Sequence, residues 1–364
     1  GGDEFTVLLS EISGAEDAGR VARSILEALS EPIVIGHNEL RIGVSIGVTV
    51  FPNDGADVDT LLRNADVAMY EAKDQGRSNV QFFSEALCET EQRRSALEGG
   101  LTQAIQEEHF ELLYQPQVDV ELGRVVGVEA LLRWSHRALG AISPGEFVPV
   151  AEDAGLIPKI GEWVLEAACR RGRAWLDEGL PPVRLSVNTS PRQFESEAII
   201  ESVGQILFDT GFPPAQLVLE VTETVFTRDP ESVARLLREL KGLGVQISLD
   251  DFGTGYSSLS YLKRFPVDEI KIDHSFVRDV PVDPDDASII QAILSIGETL
   301  GIAVVAEGVE TSDQCRFLRQ RRCRFMQGHL FSPALPEPEL VEGLRDGSID
   351  ARLRERLEVR PIQG

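Results

Sequence analysis

No apolar run in this 364-residue chain approaches the roughly 18 residues that a membrane-spanning helix needs. The opening stretch, GGDEFTVLLS, has no basic segment and no cleavage site, so no secretory signal is expected. Basic residues are also short: 35 Lys and Arg stand against 60 Asp and Glu, a formal charge of −25. Such a surface repels a nucleic-acid backbone and argues against duplex binding. An anionic substrate would need local compensation from metal ions or a few placed basic residues. Cysteine is sparse: Cys88, Cys169, Cys315 and Cys323 form no C-x-x-C pair, which removes the usual zinc signature. They read as reduced thiols of a cytoplasmic protein. His109, His136, His274 and His329 show no H-x-x-x-H or H-E-x-x-H spacing and read as ordinary surface or core residues.

What the chain does have is a 42% apolar share, enough for a sizeable core, and alternation of strand and helix patterns. Residues 1–84 read as one small α/β unit. FTVLLS and ELRIGVSIGVTVFP are expected strands, AEDAGRVARSILEALS an amphipathic helix, DVDTLLRNADVAMYEAKDQG a helix closed by Gly76, and NVQFF a last strand. Residues 85–108 are charged and helix-forming, a connector that Gly99 and Gly100 would weaken or divide. From Phe110 onward eight strand-like runs follow: FELLYQP, VVGVEAL, VRLSVN, LVLEVTE, QISLDD, EIKID, AVVAEG and FMQGHLF. Strands alternating with helices over about 250 residues indicate a TIM-type barrel. The first interval, QVDVELGR, is too short for a parallel crossover. The expected fold is therefore α/β, a modified (β/α)8 barrel with an antiparallel first strand, at residues 109–350, with a tail at 351–364.

Polar residues recur at the strand C-termini: Glu129, Asn188, Glu220, Asp250 with Asp251, Lys271, Glu307 and Gln327. In a barrel those ends converge on one mouth. Each acid alone could be a solvated charge or a helix cap. Several together would repel unless protons or cations neutralise them, and all-oxygen ligation suits Mg²⁺ or Mn²⁺. Lys271 could be a salt bridge, or a cation beside the metals; neighbouring carboxylates raise its pKa, which disfavours Schiff-base chemistry. Arg133 could bind a phosphate oxygen or pair with an acid. Gly253 and Gly255 mark a loop that is either a turn or a lid, and Glu223 is placed to hold it.

The motifs YQPQVD, GVEALLRW, LSVNTS, LEVTE, LDDFGTGYSSLSYL, IKID, AEGVET and MQGHLFS resemble the EAL-domain cyclic-di-GMP phosphodiesterases over about residues 95–345. Residues 1–84 resemble the second half of a GGDEF domain. The resemblance implies hydrolysis of cyclic di-GMP to linear pGpG with two Mg²⁺ or Mn²⁺ ions. It implies that Glu129, Asn188, Glu220, Asp250 and Asp251 are metal ligands. It implies that Lys271, Glu307, Glu129 and Asp251 serve catalysis, that Arg133, Gln115, Leu131 and Gln327 meet substrate, and that Glu223 steadies the loop. It also implies a homodimer through the EAL domain. No matching position departs from the family pattern. The GGDEF-like stretch lacks the family's nucleotide-binding first half, so no cyclase activity is expected from it. A longer, membrane-anchored parent is compatible with this sequence, and no membrane contact is expected from residues 1–364 themselves. A catalytically silent receptor and a dimeric scaffold are the alternatives; the complete acid set argues against the first.

Overall fold

The computed structural model describes residues 4–10, 12, 14–35, 38–40, 42–76, 78–107, 109–227, 229–254, 262 and 264–358. The chain forms two compact units, Gly1–Gly99 and Gly100–Gly364.

In the first unit, helices Ala15–Ser30 and Val58–Asp74 accompany a hairpin of β1 (Ile33–Ile35) with β2 (Asn38–Leu40) and a parallel pair of β3 (Ile46–Val48) with β4 (Val80–Phe82). The expected helices are present. The expected strand at FTVLLS is not: residues 5–10 carry no ladder, and Phe5 and Leu8 are 88% and 92% exposed. Alternation alone cannot make a strand without a neighbour to share its hydrogen bonds, and among the described residues none lies beside it. The long strand expected from Glu39 to Pro52 is also broken, with no strand at 42–45. At Gly47 a β-carbon would collide with the Ala65 carbonyl and the Met69 backbone, so the helix lies directly on β3. Helix Glu85–Glu107 runs without a break through Gly99 and Gly100. At Gly100 a β-carbon would lie 2.6 Å from the His136 ring and 3.1 Å from Trp134, so this glycine serves close packing.

In the second unit eight strands close a barrel. In chain order they are β5 (Phe110–Asp119), β6 (Arg124–His136), β8 (Arg184–Thr189), β9 (Leu217–Thr222), β10 (Gln246–Phe252), β11 (Glu269–Ile272), β12 (Ala303–Ala306) and β13 (Phe325–Gln327). Strands β6 and β8 through β13 are parallel neighbours, while β5 runs antiparallel to both β6 and β13. The short interval after β5 thus does what its length demands. Two short strands, β7 (Gly140–Ile142) and β14 (Leu335–Pro336), extend the sheet at β6 and β5. The last expected run, FMQGHLF, stops at Gln327 because Gly328 has φ 154° and lies so close to Val309 that no side chain fits. The stretch expected as a tail from residue 351 is helical to Leu357, and Leu353 and Leu357 are buried.

Alternation turns one residue in two toward the barrel axis. Its lower inward layer is polar: Gln117, Ser186, Ser248 and Glu269 are all almost wholly buried. Arg184 donates to Glu269 at 2.6 Å, Ser248 donates to Glu269 at 3.2 Å, and Gln117 to Ser186 at 3.4 Å. Two residues further along β8, β10 and β11 the same faces carry Asn188, Asp250 and Lys271. The layer beneath therefore sets which side chains reach the mouth.

Arg184 is the only cation the structure pairs with buried Glu269 among the described residues. Arg184→Met should destabilise the barrel by roughly 3 kcal/mol or somewhat more by stranding that carboxylate. Glu269→Gln should cost less, and urea unfolding of both variants checks the order.

Candidate active site

Lys271 stands at the centre of the mouth, 1% exposed. Its Nζ lies 2.6 Å from Glu307, 2.7 Å from Glu220, 3.3 Å from Asp250 and 3.5 Å from Glu129. An ammonium has three protons, so it cannot satisfy four carboxylates at once. One positive charge against four negative ones leaves an excess that protons or cations must cover. Burial alone would lower the lysine pKa, but Asp250, Glu129, Glu220 and Glu307 hold it well above its ordinary value. A permanently charged lysine is a poor Schiff-base nucleophile.

Three more residues of the expected set, Asn188, Gln327 and Gln115, join this cluster. Asn188 donates to Glu129 at 2.6 Å, and Gln327 donates to the other Glu129 oxygen at 2.6 Å and to Gln115 at 3.0 Å. Gln115 donates in turn to the Ser332 carbonyl at 3.2 Å. Strand register explains the grouping, since Gln115 faces Glu129 and Asn188 faces Glu220 across their ladders. Leu131 and Arg133 share the Glu129 face of β6, and Arg133 lies roughly 13 Å further out at about 3.3 Å per residue. The Arg133 guanidinium donates to the Leu132 carbonyl at 3.0 Å and is not drawn into the cluster.

Adjacent residues on a regular strand point to opposite faces, yet both Asp250 and Asp251 belong to the mouth. The ladder between β10 and β11 shifts between Leu249 and Phe252, and Asp251 has φ 54°. This irregularity redirects the second carboxylate toward the side of the first. Carboxylate oxygens of Asp250, Asp251 and Glu307 then lie within 4.8 Å of one another, a spacing that can hold a metal ion. Glu220 Oε1 is buried without a hydrogen-bond donor, which leaves a lone pair for a cation. All-oxygen donors of this kind fit Mg²⁺ or Mn²⁺.

Sequence reasoning missed Asp273. It is buried, follows Glu269 and Lys271 in the same alternation, and hydrogen-bonds the Asp251 carboxyl. The Ser275 amide donates to one Asp273 oxygen at 3.0 Å, and the His274 ring lies 3.2 Å from the other. Glu223, itself buried, accepts from the Gly253 amide at 3.4 Å, the contact expected of a loop-holding residue. Gly253 has φ 103°. Gly255 and most of the loop after it, residues 255–261 and 263, lie outside the described residues, so the lid reading is not addressed.

With protein groups alone around them, the acids divide. Burial pushes Glu220 well above the carboxylate range, reinforced by Glu129, and pushes Glu307 up to about 8. Burial and Asp250 push Asp251 up to about 6. Burial opposes ionisation of Glu129 too, but Lys271, Gln327 and Asn188 keep it below its usual value.

A family model described as the EAL domain matches residues 99–334, and one described as the diguanylate cyclase GGDEF domain matches residues 1–79. The bifunctional diguanylate cyclase/cyclic di-GMP phosphodiesterase MucR of Pseudomonas aeruginosa is 45% identical over 341 residues, 94% of this chain and 50% of that protein. The cyclic di-GMP phosphodiesterase NbdA of the same organism is 39% identical over 350 residues, 96% of this chain and 45% of that protein. The chain thus spans about half the length of these relatives. A solved structure of the PaMucR phosphodiesterase in its c-di-GMP complex is 46% identical, covers 67% of this chain and 99% of that one, and superposes with a TM-score of 0.65.

The raised pKa values carry a stability prediction. A carboxyl whose folded pKa exceeds its unfolded one stabilises the fold at low pH and loses that contribution as pH rises through the folded value. In a chelator the barrel should therefore lose stability between about pH 4 and 8 as Asp251 and then Glu307 give up their protons. Added Mg²⁺ should restore most of the loss at pH 8. Thermal unfolding at pH 5 and pH 8, with chelator and with Mg²⁺, measures both effects.

Proposed function

The chain belongs to the EAL domain family, and from that premise we propose that it hydrolyses one phosphodiester bond of cyclic di-GMP to give linear pGpG. The observation that carries this reading is the complete acidic mouth around Lys271, with every expected ligand side chain present there, Glu129 from the middle of β6 and the others from near the ends of their strands. Glu129, Asn188, Glu220 and Asp250 would hold one divalent ion, and Asp250, Asp251 and Glu307 a second. Two such ions, Mg²⁺ or Mn²⁺, supply Lewis-acid charge that activates water and neutralises the phosphate.

The protein groups do the positioning. Lys271 donates to Glu220 and Glu307, so its Nζ is fixed and charged where a phosphate oxygen or the reacting water would lie. Gln327 and Asn188 hold both oxygens of Glu129, which orients that carboxylate. The upper face of β6 offers Arg133 to a phosphate oxygen well above the cluster, with Leu131 and Gln115 as further contacts. Glu223 holds the start of the loop after β10 and so fixes the redirected Asp251. A chain of high negative charge would accept an anionic dinucleotide here only with bound divalent ions and the placed cations Lys271 and Arg133 offsetting the carboxylates of the mouth.

We place the protein in the cytoplasm: no helix among the described residues is long and apolar enough to cross a membrane, and all four cysteines are free thiols. Homodimerisation through the EAL domain belongs to the same reading. Cyclase activity does not, because the signature acids Asp3 and Glu4 alone do not make a nucleotide site.

Chromatography of nucleotides after incubation with cyclic di-GMP and Mg²⁺ or Mn²⁺ tests the proposal. pGpG should form, GTP should remain unchanged, and chelation should stop turnover. Glu129→Ala should lower kcat on the order of 10³-fold or more, and turnover surviving both treatments would refute the assignment. Arg133→Ala should raise KM roughly tenfold or more while changing kcat less; steady-state kinetics separates the two. Binding without turnover by the wild type would instead identify a receptor.

A further inference from the structure

A cavity of about 460 Å³ opens on the second unit at the end of the barrel away from the acidic mouth. It lies beside Ile302, Val304 and Phe325, where β12 and β13 begin, whereas Glu307 and Gln327 stand where those strands end. One wall is a face of helix Pro284–Leu300, with Gln291, Leu294, Ser295 and Glu298 at helical spacing. The other wall is the turn after helix Ser312–Gln320, carrying Arg321, Arg322 and Arg324.

The charges on that turn are only partly answered. Arg324 bonds Asp119 at 2.7 Å. Arg321 lies over the Phe317 ring at 3.5 Å and donates to the Phe317 carbonyl at 3.3 Å, both uncharged partners. Among the described residues no carboxylate forms an ion pair with Arg321 or Arg322. Arg322 is also held in the left-handed backbone region at φ 64°, a conformation that costs a side-chain-bearing residue energy. In a chain of charge −25, two neighbouring uncompensated arginines on a cavity wall form a local site for an anion.

We propose that this groove is a second ligand site, for a phosphate-bearing nucleotide of nucleoside-monophosphate size. The volume lies within the range of small-molecule sites, roughly 300–1,000 Å³. Guanidinium groups take phosphate oxygens in bidentate pairs. Leu294, Val304 and Phe325 offer apolar surface to a base, and Glu298 offers a carboxylate to its edge. A carboxylate accepts from two adjacent N–H donors, which guanine presents and adenine does not, so the site should favour guanine. This inference does not depend on the reading of the mouth.

Calorimetric titration of GMP and AMP into the full chain, in chelator, tests it. The comparison proteins are Arg322→Glu, which reverses a wall charge, and Ser295→Trp, which fills the groove from an exposed helix position. Both should unfold at the wild-type temperature. GMP should bind the wild type at one site, at least tenfold more weakly in each variant, and AMP several-fold more weakly than GMP. Absence of GMP binding by the wild type, or unchanged affinity in both variants, would overturn the site. Equal affinity for AMP would overturn its assignment to guanine.

Discussion

A single buried ammonium faces more carboxylates than it can satisfy. Lys271 touches Glu220 and Glu307 closely, and Asp250 and Glu129 at longer range. The imbalance is local and can be covered by protons or, in the function proposed above, by divalent ions. Burial and that arithmetic together set the chemistry of the mouth: the directions of its pKa values and its fit to oxygen-loving metals.

The arrangement is a product of backbone geometry more than of any special side chain. A pleated strand repeats its faces every second residue, so Ser186, Ser248 and Glu269 below prescribe Asn188, Asp250 and Lys271 above. Strands far apart in sequence then deliver one group each to the same rim. The antiparallel β5 contributes in the reverse sense, with Gln117 low and Gln115 high, and its Gln115 meets Gln327 and the Ser332 carbonyl. Only Asp251 breaks the pleat, through a shifted ladder and a left-handed backbone.

Much of this was legible in the sequence, and the exceptions have physical causes. The eight runs, the antiparallel first strand and the polar strand ends follow from local periodicity and from one interval too short for a crossover. Asp273 escaped because a carboxylate next to a strand end reads as a cap, and its partner Asp251 is reached only through the irregularity in β10. That irregularity depends on a register set by β11, which the residues of β10 do not reveal. Gly99 and Gly100 stand where the two compact units divide, yet they do not break the helix, and the second role of Gly100, close packing against the His136 ring, is invisible in a single letter. FTVLLS had the right alternation, but a strand is a property of a pair.

The claim that divalent cations balance this mouth can be measured without any turnover. Titrating Mn²⁺ into the protein and following the free-ion signal by electron paramagnetic resonance should show two ions bound per chain. Asp250→Asn should abolish at least one, since that carboxylate lies beside both Lys271 and the Asp251–Glu307 group. Retention of all bound Mn²⁺ by Asp250→Asn, or no binding by the wild type, would contradict the account.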